Sequence, residues 1–184
     1  IVPILFDDTK DKVIKEAKKI KEDLKELNAL LDIREDYSPG WKFNEWELKG
    51  IPVRIELGPK DLKKKEVIVV RRDTGKKQSV KIAQLKKFLP KLLDDIQKSL
   101  FRSAKKKLEE SIVLVKNFED FKKAIKEKKL VKANWCGTES CEDWIKDKAD
   151  GAKSLNAPFK EKATGKCVQC DKKATILMYF GKSY

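Results

Sequence analysis

Residues 37–75 read YSPGWKFNEWELKGIPVRIELGPKDLKKKEVIVVRRDTG, and this stretch decides the fold. Ser38-Pro39-Gly40 is a helix start, because proline presets φ and a serine hydroxyl can cap the first turn. Trp41 to Lys49 then reads as a short helix with Trp41, Glu45 and Lys49 on one line and Glu45 to Lys49 in the favoured ion-pair order. Gly50 ends it. From Ile51 the period becomes two: Ile51, Val53, Ile55 and Leu57 share one face, and Arg54 and Glu56 share the other, which this pattern expects to be solvated. A cation and a carboxylate on an open strand face can contact base edges; the same pair also fits a cross-strand salt bridge. Val67–Val70, four β-branched residues in a row, marks a strand buried on both faces.

Upstream, Val2, Ile4 and Leu5 predict a short buried strand, and Asp8 is placed to cap the helix that follows. Val13, Ala17, Ile20, Leu24, Leu27 and Leu31 recur at steps of four and three, predicting one amphipathic helix across them. Ile33–Tyr37 is expected to be a second strand. Downstream, Gln78–Ile82 should return as a hairpin strand. Leu85 to Leu108 is again helical, with a short helix ending near Pro90 and a longer one beginning there. The first 112 residues thus read as one α/β domain. SIVLVK (111–116) leads into a second unit, residues 113–184, where Asn117 and Asp120 form a capping-box-like start, Leu130–Trp135 is a strand, and Ala174–Phe180 is the last strand.

The chain has 184 residues, carries a formal charge of +14 and contains no histidine. The excess is spread along it: 28 basic against 20 acidic residues in 1–112, and 16 against 10 in 113–184. Such a balance suits a polyanion, above all RNA, although a solvated lysine-rich surface has the same composition. Lack of histidine removes the commonest general base and both the Ser-His and Cys-His nucleophile arrangements. No stretch approaches the roughly 20 apolar residues of a membrane span. IVPILFDD is apolar but lacks a basic lead-in, so it reads as a strand and not a signal peptide. The missing initiator methionine suggests a piece of something longer.

Cys136-x4-Cys141 and Cys167-x2-Cys170 are two close pairs around a 25-residue insert. Two tight turns can aim four sulfurs at one tetrahedral centre, each about 2.3 Å from a zinc ion, and four thiolates leave no open position, so the metal would be structural. Thr138 is expected to cap the helix carrying Cys141, and Gly137 and Gly165 to loosen the turns. A dithiol redox pair at Cys167 and Cys170, or two disulfides, are the alternatives.

The run SPGWKFNEWELKGIPVRIELGPKDL…VVRRDTG closely resembles the anticodon-binding domain of prolyl-tRNA synthetases of the eukaryotic and archaeal type. LLDDIQKSLF resembles the last long helix of that domain. WCGTESCEDWIK, GAKSLNAPFK and the terminal FGKSY resemble the family's C-terminal zinc-binding extension. The resemblance implies a mixed five-strand sheet flanked by helices, followed by a small α+β zinc-binding domain. It also implies a part of a cytoplasmic, homodimeric ligase that charges tRNA(Pro) with proline. ATP and Mg²⁺ would be needed only in a catalytic domain upstream, so this chain alone should be inactive and monomeric. The terminal Tyr184 would pack toward that domain. For reading the two guanines of a proline anticodon, Arg54 and Glu56 are the first candidates, with Lys42, Phe43 and Lys49 on the adjacent helix and Arg71, Arg72 and Asp73 on the neighbouring strand; Phe43 or Trp46 is available to stack. A freestanding RNA-binding module derived from such a domain is the other reading.

Overall fold

A computed structural model describes residues 1–182, which fall into two compact units, Ile1–Ser103 and Ala104 onward. The first is built on a mixed four-stranded sheet in the order β1 (Val2–Pro3), β2 (Val53–Leu57), β3 (Glu66–Arg71), β4 (Lys77–Lys81). β1 runs parallel to β2, and the others are antiparallel. Gly75, at φ +68°, makes the turn of the β3–β4 hairpin in the left-handed region that costs glycine least. Along β2 and β3 the alternation sorts residues cleanly. Ile55, Leu57, Val67 and Val69 pack against α1 (Lys10–Asp23) and α4 (Leu85–Ser111) through Val13, Ala17, Ile20, Leu85, Leu89, Leu92 and Ile96. Arg54 and Glu56 take the opposite face, opposed by Val70 and Ile68, where α2 (Pro39–Leu48) covers them. The short α3 (Pro59–Lys64) links β2 to β3.

Four local expectations are corrected. Ile33–Tyr37 is not a strand, so the first sheet has four strands among the described residues and not five. Its edge makes a single rung, in which the Ile1 amino group donates to Leu30 O at 2.7 Å and Asp32 N donates to Ile1 O at 2.9 Å. The Asp32 carboxylate then accepts from Arg34 N at 3.2 Å, an Asx turn that takes the backbone out of the ladder. α1 stops at Asp23 rather than reaching Leu31, because a 3₁₀ turn follows and Asn28 is left-handed at φ 54°. Thr9, not Asp8, is its N-cap residue, without a side-chain cap bond. Pro90 lies inside one continuous α4. The helix interior loses a bond there, costing about 3 kcal/mol, but burial of Leu85, Leu89, Leu92 and Ile96 at roughly 1.5–3 kcal/mol each outweighs it.

In the second unit β5 (Ile112–Val115), α5 (Phe118–Lys126) and β6 (Leu130–Trp135) form a parallel crossover. α6 (Glu139–Lys148), β7 (Ala152–Ser154) and β8 (Ile176–Lys182) complete a sheet ordered β5-β6-β8-β7. Phe121 and Phe180 are fully buried at its centre, edge to face with centroids 5.2 Å apart. Asn117 caps α5 as expected: its Oδ1 accepts from Asp120 N at 2.8 Å, and its Nδ2 donates to the Asp120 carboxylate at 2.7 Å. Asn117→Ala should therefore destabilise this unit by about 1 kcal/mol, read as a lower urea midpoint at unchanged slope. Tyr184, expected to pack toward another domain, lies outside the described residues.

Candidate nucleic-acid interface and metal centre

Ser38 opens α2, accepting from Trp41 N at 3.3 Å, and Gly50 (φ +81°) closes it. The helix is held down by charge rather than by a greasy stripe. Asp32, 4% exposed, accepts from Arg34 Nε at 2.9 Å, Arg34 Nη2 at 2.7 Å and Trp46 Nε1 at 2.9 Å. The hydrogen bond from Arg34 outweighs burial and holds Asp32 well below the usual carboxylate range. Arg34 reaches on to Glu45, which Lys49 also meets at 2.7 Å, and the buried Lys42 ammonium donates to the Arg34 carbonyl. Lys49 further lies 4.6 Å from the Trp46 ring centroid.

Arg54 is the hub of the covered strand face. Its Nε donates to Glu56 Oε1 at 3.0 Å, its Nη1 pairs with Glu47, and its guanidinium sits 4.2 Å from the Phe43 ring centroid. Lys77 Nζ approaches Glu56 at 3.5 Å. The expected solvated face is corrected here: Arg54 and Glu56 are 9% and 6% exposed, because α2 lies over them, and their pair runs along one strand rather than across two. A narrow cleft lined by Trp46, Glu47, Ile51, Arg54, Val70 and Arg72 leaves this cluster its opening. A guanidinium with five donors, two of them engaged by Glu56 and Glu47, retains donors for an acceptor such as guanine O6, and the exposed Glu47 can accept from guanine N1 and N2.

The structure brings Arg54, Glu56, Phe43 and Arg72 together. It does not bring Arg71 and Asp73. Arg71 follows Val67 and Val69 in the alternation of β3 and so faces α4, pairing with Asp73 at 2.8 Å and Asp95 at 2.5 Å. Lys42 and Lys49 serve as internal braces of α2. Sequence reasoning passed over Glu47, Asp32, Arg34 and Lys77. Glu47 was legible as the residue one turn beyond Phe43, but the others depend on long-range packing.

The four cysteines converge. Cys136 leaves the end of β6, Cys141 lies in the first turn of α6, and Cys167 and Cys170 bracket a tight turn in which Cys167 N donates to Lys172 O at 2.7 Å. Their four sulfurs all lie within 4.8 Å of one another. Gly137 is required: at φ +79°, an added Cβ would also meet Thr175 and Ile176 at 3.2 Å. Val168 N donates to Asn134 O at 2.9 Å, tying the second pair to β6. Thr138 begins α6 without the expected cap bond, because its hydroxyl lies 3.1 Å from Cys136 Sγ instead. Burial opposes ionisation at Cys136, but hydrogen bonds from Thr138 overcome it and hold that thiol at about 6. At Cys141 burial dominates and pushes the thiol up to about 12; its Sγ donates to Gln169 Oε1 at 2.7 Å. Tetrahedral zinc thiolates need sulfurs about 3.8 Å apart, which this cluster meets with small adjustments, so the donor set fits a divalent, thiophilic cation. Neither cysteine of the second pair opens a helix, unlike a thioredoxin-type dithiol.

Residues 1–92 match the family model described as anticodon binding domain. The chain belongs to that family. Residues 118–184 match a second model, described as prolyl-tRNA synthetase, C-terminal. A proline–tRNA ligase of Oceanobacillus iheyensis is 41% identical over the whole of this chain, which covers 38% of that relative. Proline–tRNA ligase 2 of Bacillus cereus is 40% identical over the whole chain, covering 38%, and a proline–tRNA ligase of Thermofilum pendens is 39% identical, covering 39%. The chain therefore spans little more than a third of the length of the curated relatives it matches, and corresponds to their anticodon-binding and C-terminal portions. Within the anticodon-binding unit the Arg54 cluster is the part whose chemistry suits a base edge. In the C-terminal unit the cysteine cluster suits a metal. Among the described residues, no helix is long and apolar enough to cross a membrane.

Proposed function

We propose that this chain reads the anticodon of tRNA(Pro) for a cytoplasmic, homodimeric proline–tRNA ligase, whose ATP- and Mg²⁺-dependent transfer of proline is carried out by a catalytic portion elsewhere in the polypeptide. The chain by itself is monomeric and inactive in aminoacylation, and residues 1–112 and 113–184 act as its two domains. The observation that carries the reading is the Arg54 cluster inside a unit of the anticodon binding domain family: a nearly buried guanidinium, fixed by Glu56, Glu47 and Phe43, at a cleft shared with Arg72.

Two anticodon guanines unstacked from the loop offer N1–H and N2–H donors and an O6 acceptor. Glu47 and Glu56 suit the donors, and Arg54 and Arg72 suit the acceptors. Phe43 supports Arg54 from below. Lys42, Lys49, Arg71 and Asp73 act one step back, by fixing α2 and the end of β3. Cys136, Cys141, Cys167 and Cys170 hold one structural Zn²⁺, which clamps the two cysteine turns and takes no part in catalysis.

Binding of the chain to tRNA(Pro) transcripts tests this. Replacing both anticodon guanines should weaken binding by about tenfold or more, and the preference should persist when salt is raised, since base contacts carry little of the counterion-release term. Equal binding that collapses with salt would show that only the +14 charge is felt and would refute the assignment.

A further inference from the structure

The outer face of α2 is apolar where a surface helix is ordinarily polar. Its inner side carries the charged network described above. Its outer side presents Trp41, Asn44 and Leu48 at helical spacing, with Tyr37 one turn ahead, and Trp41 and Leu48 are 44% and 89% exposed. Tyr37 and Trp41 stack with centroids 3.9 Å apart and planes inclined by 15°. Arg34 adds a third flat group, its guanidinium 5.0 Å from the Tyr37 centroid and 5.5 Å from the Trp41 centroid. Asp32 and Glu45 hold Arg34, so the platform is rigid before any partner arrives.

Fold stability does not explain this stack. Tyr37 and Trp41 remain 39% and 44% exposed in spite of their stacking, so much of their surface is left to solvent. Parallel rings with a guanidinium form a surface on which any base can stack, through its π-face and through cation–π attraction. Asn44, three residues after Trp41, supplies an amide that can bond the sugar–phosphate backbone beside a stacked base, a contact that carries no sequence information. The stack stands on the helix that also carries Phe43 and Glu47 of the Arg54 cluster, within the residues that match the anticodon binding domain family, which favours a nucleic-acid base as its occupant.

We propose that Tyr37, Trp41, Asn44 and Leu48 form a second RNA contact, stacking unpaired anticodon-loop bases other than the two guanines, without reading their sequence. This rests on the tRNA-binding reading above but not on which residues read the guanines.

The test compares the full chain, a Tyr37→Leu/Trp41→Leu double variant and Trp41→Phe for binding to tRNA(Pro) transcripts. One transcript is native, one has both guanines replaced, and others carry a single abasic site elsewhere in the loop. The double variant should lose about tenfold or more in affinity, equally on native and guanine-replaced RNA, while Trp41→Phe keeps most of it. At least one abasic site should weaken wild-type binding and leave the double variant unaffected. RNA should quench tryptophan fluorescence more in the wild type than in Trp41→Phe, the difference reporting on Trp41 while Trp46 at the cleft still responds in both. Unchanged affinity of a double variant with native thermal stability would overturn the proposal; so would that result accompanied by lost self-association in sedimentation, which would give the face to a second copy. If the double variant does not fold, wild-type binding indifferent to every abasic site overturns it instead. Loss of guanine preference with the Trp41 effects intact would sink the guanine assignment alone.

Discussion

Cys167→Ser should leave the chain without bound zinc and abolish the cooperative unfolding transition of the second unit, and a strong chelator should do the same to the wild type. The reason lies in what the cysteines hold together. Cys141 and Cys167 are buried in the same core as Phe121, Ile125, Val131 and Phe180. Between β7 and β8, residues 155–175 contribute only the isolated bridge Lys166–Lys173, so little regular structure anchors the second cysteine pair. Structural zinc sites supply on the order of 10 kcal/mol, comparable to the whole stability of a small domain. Without the ion, two buried thiols, two half-buried ones and a long irregular segment must be supported by one small sheet. Differential scanning calorimetry with metal analysis checks this: one zinc per wild-type chain, none in the variant, and one transition fewer. A wild-type chain that purifies without metal and melts as the variant does would exclude the structural-zinc reading.

Arg54→Ala should destabilise the first unit by about 3–5 kcal/mol, because it leaves Glu56 buried with only Lys77, 3.5 Å away, to answer its charge. Loss of the Phe43 contact adds to this by roughly 0.5–2 kcal/mol. A second variant separates structure from recognition. In Arg54→Met/Glu56→Leu the ion pair is replaced by apolar groups of similar size, and buried pairs replaced in this way cost little or even gain stability. The double variant should therefore recover most of the lost urea midpoint while its preference for the anticodon guanines remains absent. If instead it discriminates guanine as the wild type does, the cluster is a structural ion pair and the base-reading groups lie elsewhere on the cleft.

These two cases show where the sequence was informative. Each cysteine pair was legible because a tight turn can bring two sulfurs together, helped by Gly137 and Gly165, both at positive φ, whereas the meeting of the two pairs depends on the long-range bond from Val168 N to Asn134 O in β6. Helix α2 and strand β2 were legible for the same reason: Ser38, Pro39 and Gly50 punctuate one, and the alternation from Val53 to Leu57 sets the other. The α/β class of the first unit follows from that punctuation, whereas the two four-stranded mixed sheets appear only in the fold.

The environment of each side chain was not legible. Period two placed Arg54 and Glu56 on the same face but could not say that α2 would cover that face, since the covering helix is held by Asp32, Arg34 and Glu45, whose meeting depends on chain closure. The same alternation put Arg71 and Arg72 on opposite faces, a separation that the contiguous letters obscured. The missing fifth strand was lost to an Asx turn at Asp32, a local competitor that a β-rich run of letters does not reveal. The sequence by itself determined most of the elements, the caps at Ser38 and Asn117 and the closeness of the two cysteines within each pair, because these depend on neighbours along the chain. Only the tertiary structure decided which charges are buried, which aromatics face outward and which residues share the cleft, because burial is a property of what other segments place on top.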